Sequence, residues 1–291
     1  ALNLDHIVGA KSLLLLFLKC IEAGSPAIKQ LWVRCLDILT IGTIADMVPL
    51  QGENRMFTQM GLKFVSKSKR LGLSSLFTAL GWKNKQISEK DISFNIAPIL
   101  NSSGRLKTAE LAIELLSTSK SSKADSLSKQ LYELNTERKR LGEECYNGVK
   151  EFLTQQNDIE KDRILMVAAP MKNQGVTGIV ATRLMLDYSR PVIVLLEDQG
   201  KFLGSARSFK NINIIEALNY CSDSLEKYGG HVGAAGLTML PENVEKFREK
   251  LREFSAKHIS LDDLKPEWEI DAEITADDID ANFLDDILKF A

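Results

Sequence analysis

Gly229-Gly230-His231-Val232-Gly233-Ala234-Ala235-Gly236 is the stretch from which the rest of the chain can be read. It sets one histidine among four glycines and two alanines. Glycine lets a backbone come close to another backbone or to a phosphate, and small neighbours leave the imidazole room to project into a cleft. Residues 237–240 read as a short strand. The pattern therefore predicts a tight glycine-rich turn with an imidazole at its tip, leading into a strand. Such a turn suits an anion, although a close-packed turn with an incidental histidine fits the same residues. No Gly-Lys-Ser/Thr and no GxGxxG occurs, which excludes the two common nucleotide loops.

Around this stretch strand and helix alternate. Residues 164–169, 191–196 and 202–207 read as strands. Residues 175–186, 212–226 and 243–258 read as helices. The third strand ends in Gly204-Ser205-Ala206-Arg207-Ser208. A small α/β domain follows, with Gly, Ser, Arg and His at strand ends, where such folds place ligands. Residues 268–274 read as a further strand and 283–290 as the start of a helix.

Upstream lies a long helix over 123–155, with Leu127, Leu131, Leu134, Leu141, Cys145, Val149 and Phe152 at three-and-four spacing. It would be roughly 50 Å long, enough to connect two lobes. Its charges, including Glu137-Arg138-Lys139-Arg140, read as a solvated face. Earlier still, 11–23 and 74–81 read as helices, and Ser25-Pro26 as the start of another. That last helix ends near Asp46, whose neighbours are apolar. A buried carboxylate needs a partner, here a metal, a cation such as Arg55, or backbone N–H groups. Asn101-Ser102-Ser103-Gly104 reads as a turn, which puts Arg105 at a helix start, well placed for an anion. A solvated surface arginine is the plainer alternative.

The chain has 291 residues, which suggests about two domains, and its 44% apolar and 26% charged residues are those of an ordinary globular protein. The net charge of −2 offers no global attraction to nucleic acid, so any such contact needs a local basic patch. Cys20, Cys35, Cys145 and Cys221 are scattered without a CxxC pair, which argues against zinc and disulfides and fits a reducing cytoplasm. The longest apolar run, 13–18, is too short to span a membrane. The ends at Ala1 and Ala291 suggest a piece of a longer chain.

Six motifs stand in one order: GTIADMVPL with ENR over 42–55, APILNSSGR over 97–105, GVTGIVATRL over 175–184, YSRPVIVLL over 188–196, GSARS over 204–208 and GGHVGAAG over 229–236. Together they closely resemble the RecJ family of single-stranded-DNA-specific 5′→3′ exonucleases, in the DHH phosphoesterase superfamily. The resemblance implies an α/β fold of two lobes joined by a long helix. Residues 1–118 would be the C-terminal part of a DHH catalytic domain, 119–157 the connecting helix, 158–260 a DHH-associated domain and 261–291 the run-in to an OB-fold domain. The family's Asp-x-Asp pair, its further Asp and its Asp-His-His triplet are absent. Asp5-His6 lacks the second histidine, and Gln174 stands where relatives often carry His.

Carried over residue by residue, the resemblance implies that Asp46 is a catalytic metal ligand and that Arg105, Ser205 and Arg207 hold the strand's 5′ phosphate. Gly229 and Gly230 would share in phosphate binding, and His231 would face the metal centre. It also implies two-metal hydrolysis with manganese or magnesium, single-stranded DNA with a 5′ end as substrate, and roles in repair and recombination. A cytoplasmic monomer is expected, with single-strand-binding protein and a helicase as partners and no membrane. One carboxylate cannot hold two ions, so residues 1–291 alone are expected to be inactive. The alternatives are a DHH phosphodiesterase acting on short oligonucleotides or cyclic dinucleotides, and a RecJ-like scaffold without catalysis.

Overall fold

The computed structural model describes residues 26–106, 108–170, 174–268 and 270–288. The helix expected over 11–23 and the Asp5-His6 pair lie outside them. The chain divides into two compact units, 1–144 and 145–291, and the division falls inside one long helix.

The first unit is helical among the described residues. Its helices are α1 (Pro26–Ala45), α2 (Gly52–Ser66), α3 (Leu71–Ala79), α4 (Ala97–Leu106) and α5 (Glu110–Ser117), followed by the start of α6 (Ser121–Gln156). Ile41, Leu73, Leu76, Ile96, Ile99 and Leu131 belong to its core. Ser88 and Asp91 form a capping box that starts a helical run, which passes through a π-helical turn at Ile92–Ile96 into α4.

The turn expected at residues 101–104 does not form, because α4 continues through it. Ser102 and Ser103 are buried and donate back to the carbonyls of Ile99 and Leu100, at 2.6 and 3.4 Å. The Ser102 hydroxyl also reaches the Leu131 carbonyl of α6 at 3.3 Å. These bonds satisfy side chains that would otherwise compete for the backbone, and packing overrides the local preference for a turn.

In the second unit a five-stranded sheet has the order β1-β2-β3-β5-β4. The strands are β1 (Leu165–Ala169), β2 (Val192–Asp198), β3 (Lys201–Arg207), β4 (Lys227–His231) and β5 (Ala234–Met239). β1 and β2 are parallel and the other pairs antiparallel. α7 (Gln174–Tyr188) makes the β1–β2 crossover, while α8 (Ile214–Tyr220) and α9 (Val244–His258) pair with each other. One sheet face, with Ile193, Leu195, Ala206, Ala235, Leu237 and Met239, joins a core with Leu218, Phe247 and Leu251 from α8 and α9. On the other face α7 lies against β2 and β3.

Two side-chain amides line β1. Asn157 exchanges hydrogen bonds with the Met166 backbone at 2.9 and 3.0 Å, and Gln156 does the same with Ala168 at 2.8 and 2.9 Å. They act as a short extra strand along a row of otherwise open backbone groups. Arg248, 8% exposed, clamps this corner, its guanidinium donating to the carbonyls of Gln156 and Met166 and to Gln156 Oε1, each at 3.1 Å. Arg248→Ala removes three hydrogen bonds, the one to the Met166 carbonyl fully buried, and is expected to cost the second unit roughly 2–4 kcal/mol. A lowered urea midpoint with an unchanged slope would show it.

Two further expectations are corrected. The 229–236 stretch is a β-hairpin, in which only Val232 and Gly233 form the turn. The described residues of 268–274 do not form the expected strand: Trp268 and Ile270 are 91% and 80% exposed, and no described strand pairs with them. A strand without a neighbour leaves its backbone bonds to water. The final helix, α10, runs over Ala281–Leu288. Among the described residues no helix is long and apolar enough to cross a membrane.

Candidate functional site

Side chains two apart on a strand share a face. The register therefore sets Arg207, Ala234 and His231 in one row across β3, β5 and β4. The next row on the same face is Ser205, Gly236 and Gly229. Adjacent strands lie about 4.8 Å apart, so the Arg207 and His231 backbones are separated by roughly 10 Å. Between the three polar side chains stand only two glycines and an alanine. The face is thus a bare shelf bordered by a guanidinium, a hydroxyl and an imidazole.

Each border residue is held differently. Arg207 is half-buried and its Nη1 donates to the Ala206 carbonyl at 2.8 Å. Its guanidinium lies against α7 at Gly178, where an added Cβ would sit 2.6 Å from Nη2 and 3.7 Å from Ser205 Oγ. His231 is exposed at the end of β4, and its Nδ1 accepts the Gly233 N–H at 3.2 Å. A neutral ring with an accepting Nδ1 carries its proton on Nε2, which makes Nε2–H an outward donor. Gly230 is required by sterics: a Cβ there would lie 2.2 Å from the Ala234 carbonyl oxygen. The turn is tied down by Ser208 N–H to the Gly233 carbonyl at 2.9 Å and Ile214 N–H to the Val232 carbonyl at 3.1 Å.

Asp46 and Arg105 belong to the first unit. Asp46 is exposed just past the end of α1, its N–H donating to the Gly42 carbonyl at 3.0 Å, so the expectation of a buried carboxylate is corrected. Water solvates the group and no internal partner is needed. Arg105 is exposed in the last turn of α4, not at a helix start. There the helix carbonyls favour the arginine itself, and no helix N-terminus adds to anion binding.

The sequence reading missed Arg138. The solvated charge run is corrected at this residue, which is half-buried on α6 with Nε donating to Oδ1 of buried Asn135 at 3.1 Å. Burial first, and then the charge of Arg105, push its guanidinium below the ordinary arginine range. The two guanidiniums oppose each other's charge, so both add to the positive potential of this surface. The signal was in the spacing: Leu131, Asn135 and Arg138 follow the apolar stripe of the helix.

Among the described residues no three His, Cys, Asp or Glu side chains gather to hold a metal ion. Asp46 offers one hard oxygen donor, and divalent ions of that class take about six. The described residues therefore do not complete a metal centre.

Residues 162–257 match the DHHA1 domain family. The chain is 37% identical over 246 residues to the single-stranded-DNA-specific exonuclease RecJ of Bacillus subtilis, covering 84% of this chain and 31% of that protein. It is 35% identical to the Thermus thermophilus protein of the same name, covering 79% and 34%. The crystal structure of Thermus thermophilus RecJ in complex with Mg2+ aligns with TM-score 0.69 at 34% identity, over 77% of this chain and 35% of that one. A structure of exonuclease RecJ bound to manganese aligns with TM-score 0.65, covering 79% and 58%. The chain thus spans about a third of the length of the curated relatives it matches. With the motifs in order, the sheet and these likenesses in agreement, the chain is a homologue of the RecJ exonucleases and carries a DHHA1 domain.

Proposed function

We propose that the full-length protein is a 5′→3′ exonuclease hydrolysing phosphodiester bonds of single-stranded DNA, in repair and recombination, and that this chain supplies its phosphate-reading surfaces. The observation that carries the reading is the shelf bordered by Ser205, Arg207 and His231 over Gly229, Gly236 and Ala234. A guanidinium fork matches phosphate geometry, and a glycine floor lets a strand come down to the backbone. Arg105, with Arg138 beside it, is read as a further phosphate contact. Asp46 contributes one carboxylate to a divalent metal centre whose other ligands lie outside the described residues. The Mg2+ and Mn2+ in the RecJ structures support that assignment. Such ions, when bound, activate water and steady the leaving oxygen.

The test is digestion of long 5′-phosphorylated single strands, matching duplexes and dinucleotides by the full-length protein with manganese. Degradation of the single strand alone is expected. Equal rates on dinucleotides would replace the reading with a phosphodiesterase of short oligonucleotides, and no turnover on any of them would leave a scaffold.

Arg207→Ala is expected to cut the preference for 5′-phosphorylated over 5′-hydroxyl ends by roughly ten- to a hundredfold, the worth of a charge-assisted hydrogen bond. Gly178→Ala should act in the same direction more weakly. Its Cβ displaces only the tip of a flexible side chain, so the melting temperature should hold while the preference falls. Competition between the two kinds of end checks both variants.

A further inference from the structure

The first unit carries a second basic surface, separate from Arg105 and Arg138. Its source is the run Lys63-Phe64-Val65-Ser66-Lys67-Ser68-Lys69-Arg70, at the end of α2 and the link to α3. Together with Arg34 and Asp37 of α1 it lines a hollow of about 920 Å³. Asp37 is buried and already neutralised: Arg70 Nε donates to both its oxygens at 3.1 Å, and Ser68 Oγ donates to it at 2.6 Å. Arg34, Lys63, Lys67 and Lys69 are exposed, and no described carboxylate pairs with them. Four cations with no carboxylate paired to them among the described residues therefore share one concave surface in a chain whose net charge is −2. Phe64, 37% exposed, lines the same hollow.

We propose that this hollow is a groove for the body of a single-stranded nucleic acid, away from its 5′ end. The inference rests on the exonuclease reading for its choice of strand. Spaced ammonium and guanidinium groups neutralise successive phosphates, and an exposed ring offers a face on which an unpaired base stacks without regard to sequence. An acidic peptide would use the cations but has no base to place on Phe64, and a duplex has no free base face.

The test uses the full-length protein, with the exposed lysines replaced together as Lys63→Ala, Lys67→Ala and Lys69→Ala. Each is exposed, and none is ion-paired among the described residues. Anisotropy titrations over a range of salt would compare a long oligothymidylate with one short enough to occupy only the end site. For single strands each neutralised phosphate adds about 0.7 to the log–log salt slope, so the triple variant should lower it by roughly 2 for the long strand. Long-strand affinity should fall at least tenfold at low salt, while short-strand affinity and turnover stay unchanged. Phe64→Ala should weaken long-strand binding without changing the slope. An unchanged slope and affinity in the triple variant would overturn the groove, as would equal loss for both lengths or selective loss of a poly-glutamate probe. Arg207→Ala measured alongside separates the two ideas: a slope that falls in the triple variant, with end preference intact in Arg207→Ala, upholds the groove and removes the end-site reading.

Discussion

His231→Ala in the full-length protein is expected to lower turnover by roughly a hundredfold or more, the cost of losing one preorganised donor. Phosphodiester hydrolysis gathers negative charge on the phosphate oxygens. On the proposed reading the Nε2–H of His231 meets that charge. It is held by the β4–β5 ladder, by the Gly233 N–H on Nδ1 and by the two backbone bonds that fix the turn. A donor so placed need not reorganise as the charge forms. The ring is exposed, so its removal opens no cavity and the melting temperature should hold. Single-turnover rates measured across a manganese titration decide the matter. Normal turnover would make His231 structural, while recovery at high manganese would make it a ligand.

Asp46→Ala is expected to cost at least as much. A metal ion's stabilisation of transition-state charge is worth several kcal/mol, so weakening its hold should slow turnover by roughly a thousandfold. The carboxylate is exposed beyond the end of α1, so the fold should be unaffected. Manganese affinity by calorimetry, with activity and melting temperature on the same sample, provides the check. Wild-type rates with unchanged affinity would return Asp46 to an ordinary surface residue.

Much of this fold is legible in the sequence because burial follows period. The three-and-four spacing of α6 and the apolar runs of β1 and β2 announce themselves. Misreadings cluster where small polar residues stand inside regular structure. Asn101 to Gly104 has turn composition, but its serines find carbonyls within α4 and across at α6. Gly229 and Gly236 suggest a turn, yet they face each other in a ladder, flat enough to leave a shelf. Asp46 has apolar neighbours in sequence, but only Ile44 of these turns fully into the core while Met47 is 89% exposed. Of the site, Ser205, Arg207 and His231 are legible as motifs. Their common face is not, because it depends on β5 being inserted between β3 and β4.

That insertion fixes an interval. On the proposed reading the end-anchoring Arg207 and the hydrogen-bond-donating His231 are not joined by adjustable side chains. They are joined through two rungs of backbone hydrogen bonds, with Ala234 as the middle member. Such a ladder cannot stretch by a fraction of a strand, because register moves only in whole residues. The distance from a captured end to the bond under attack then behaves as a gauge block, the same for every base. An exonuclease built on it would advance in equal steps whatever the sequence. A slip of two residues in the β3–β5 register, the smallest that keeps Arg207 on the same face, would change the product's length.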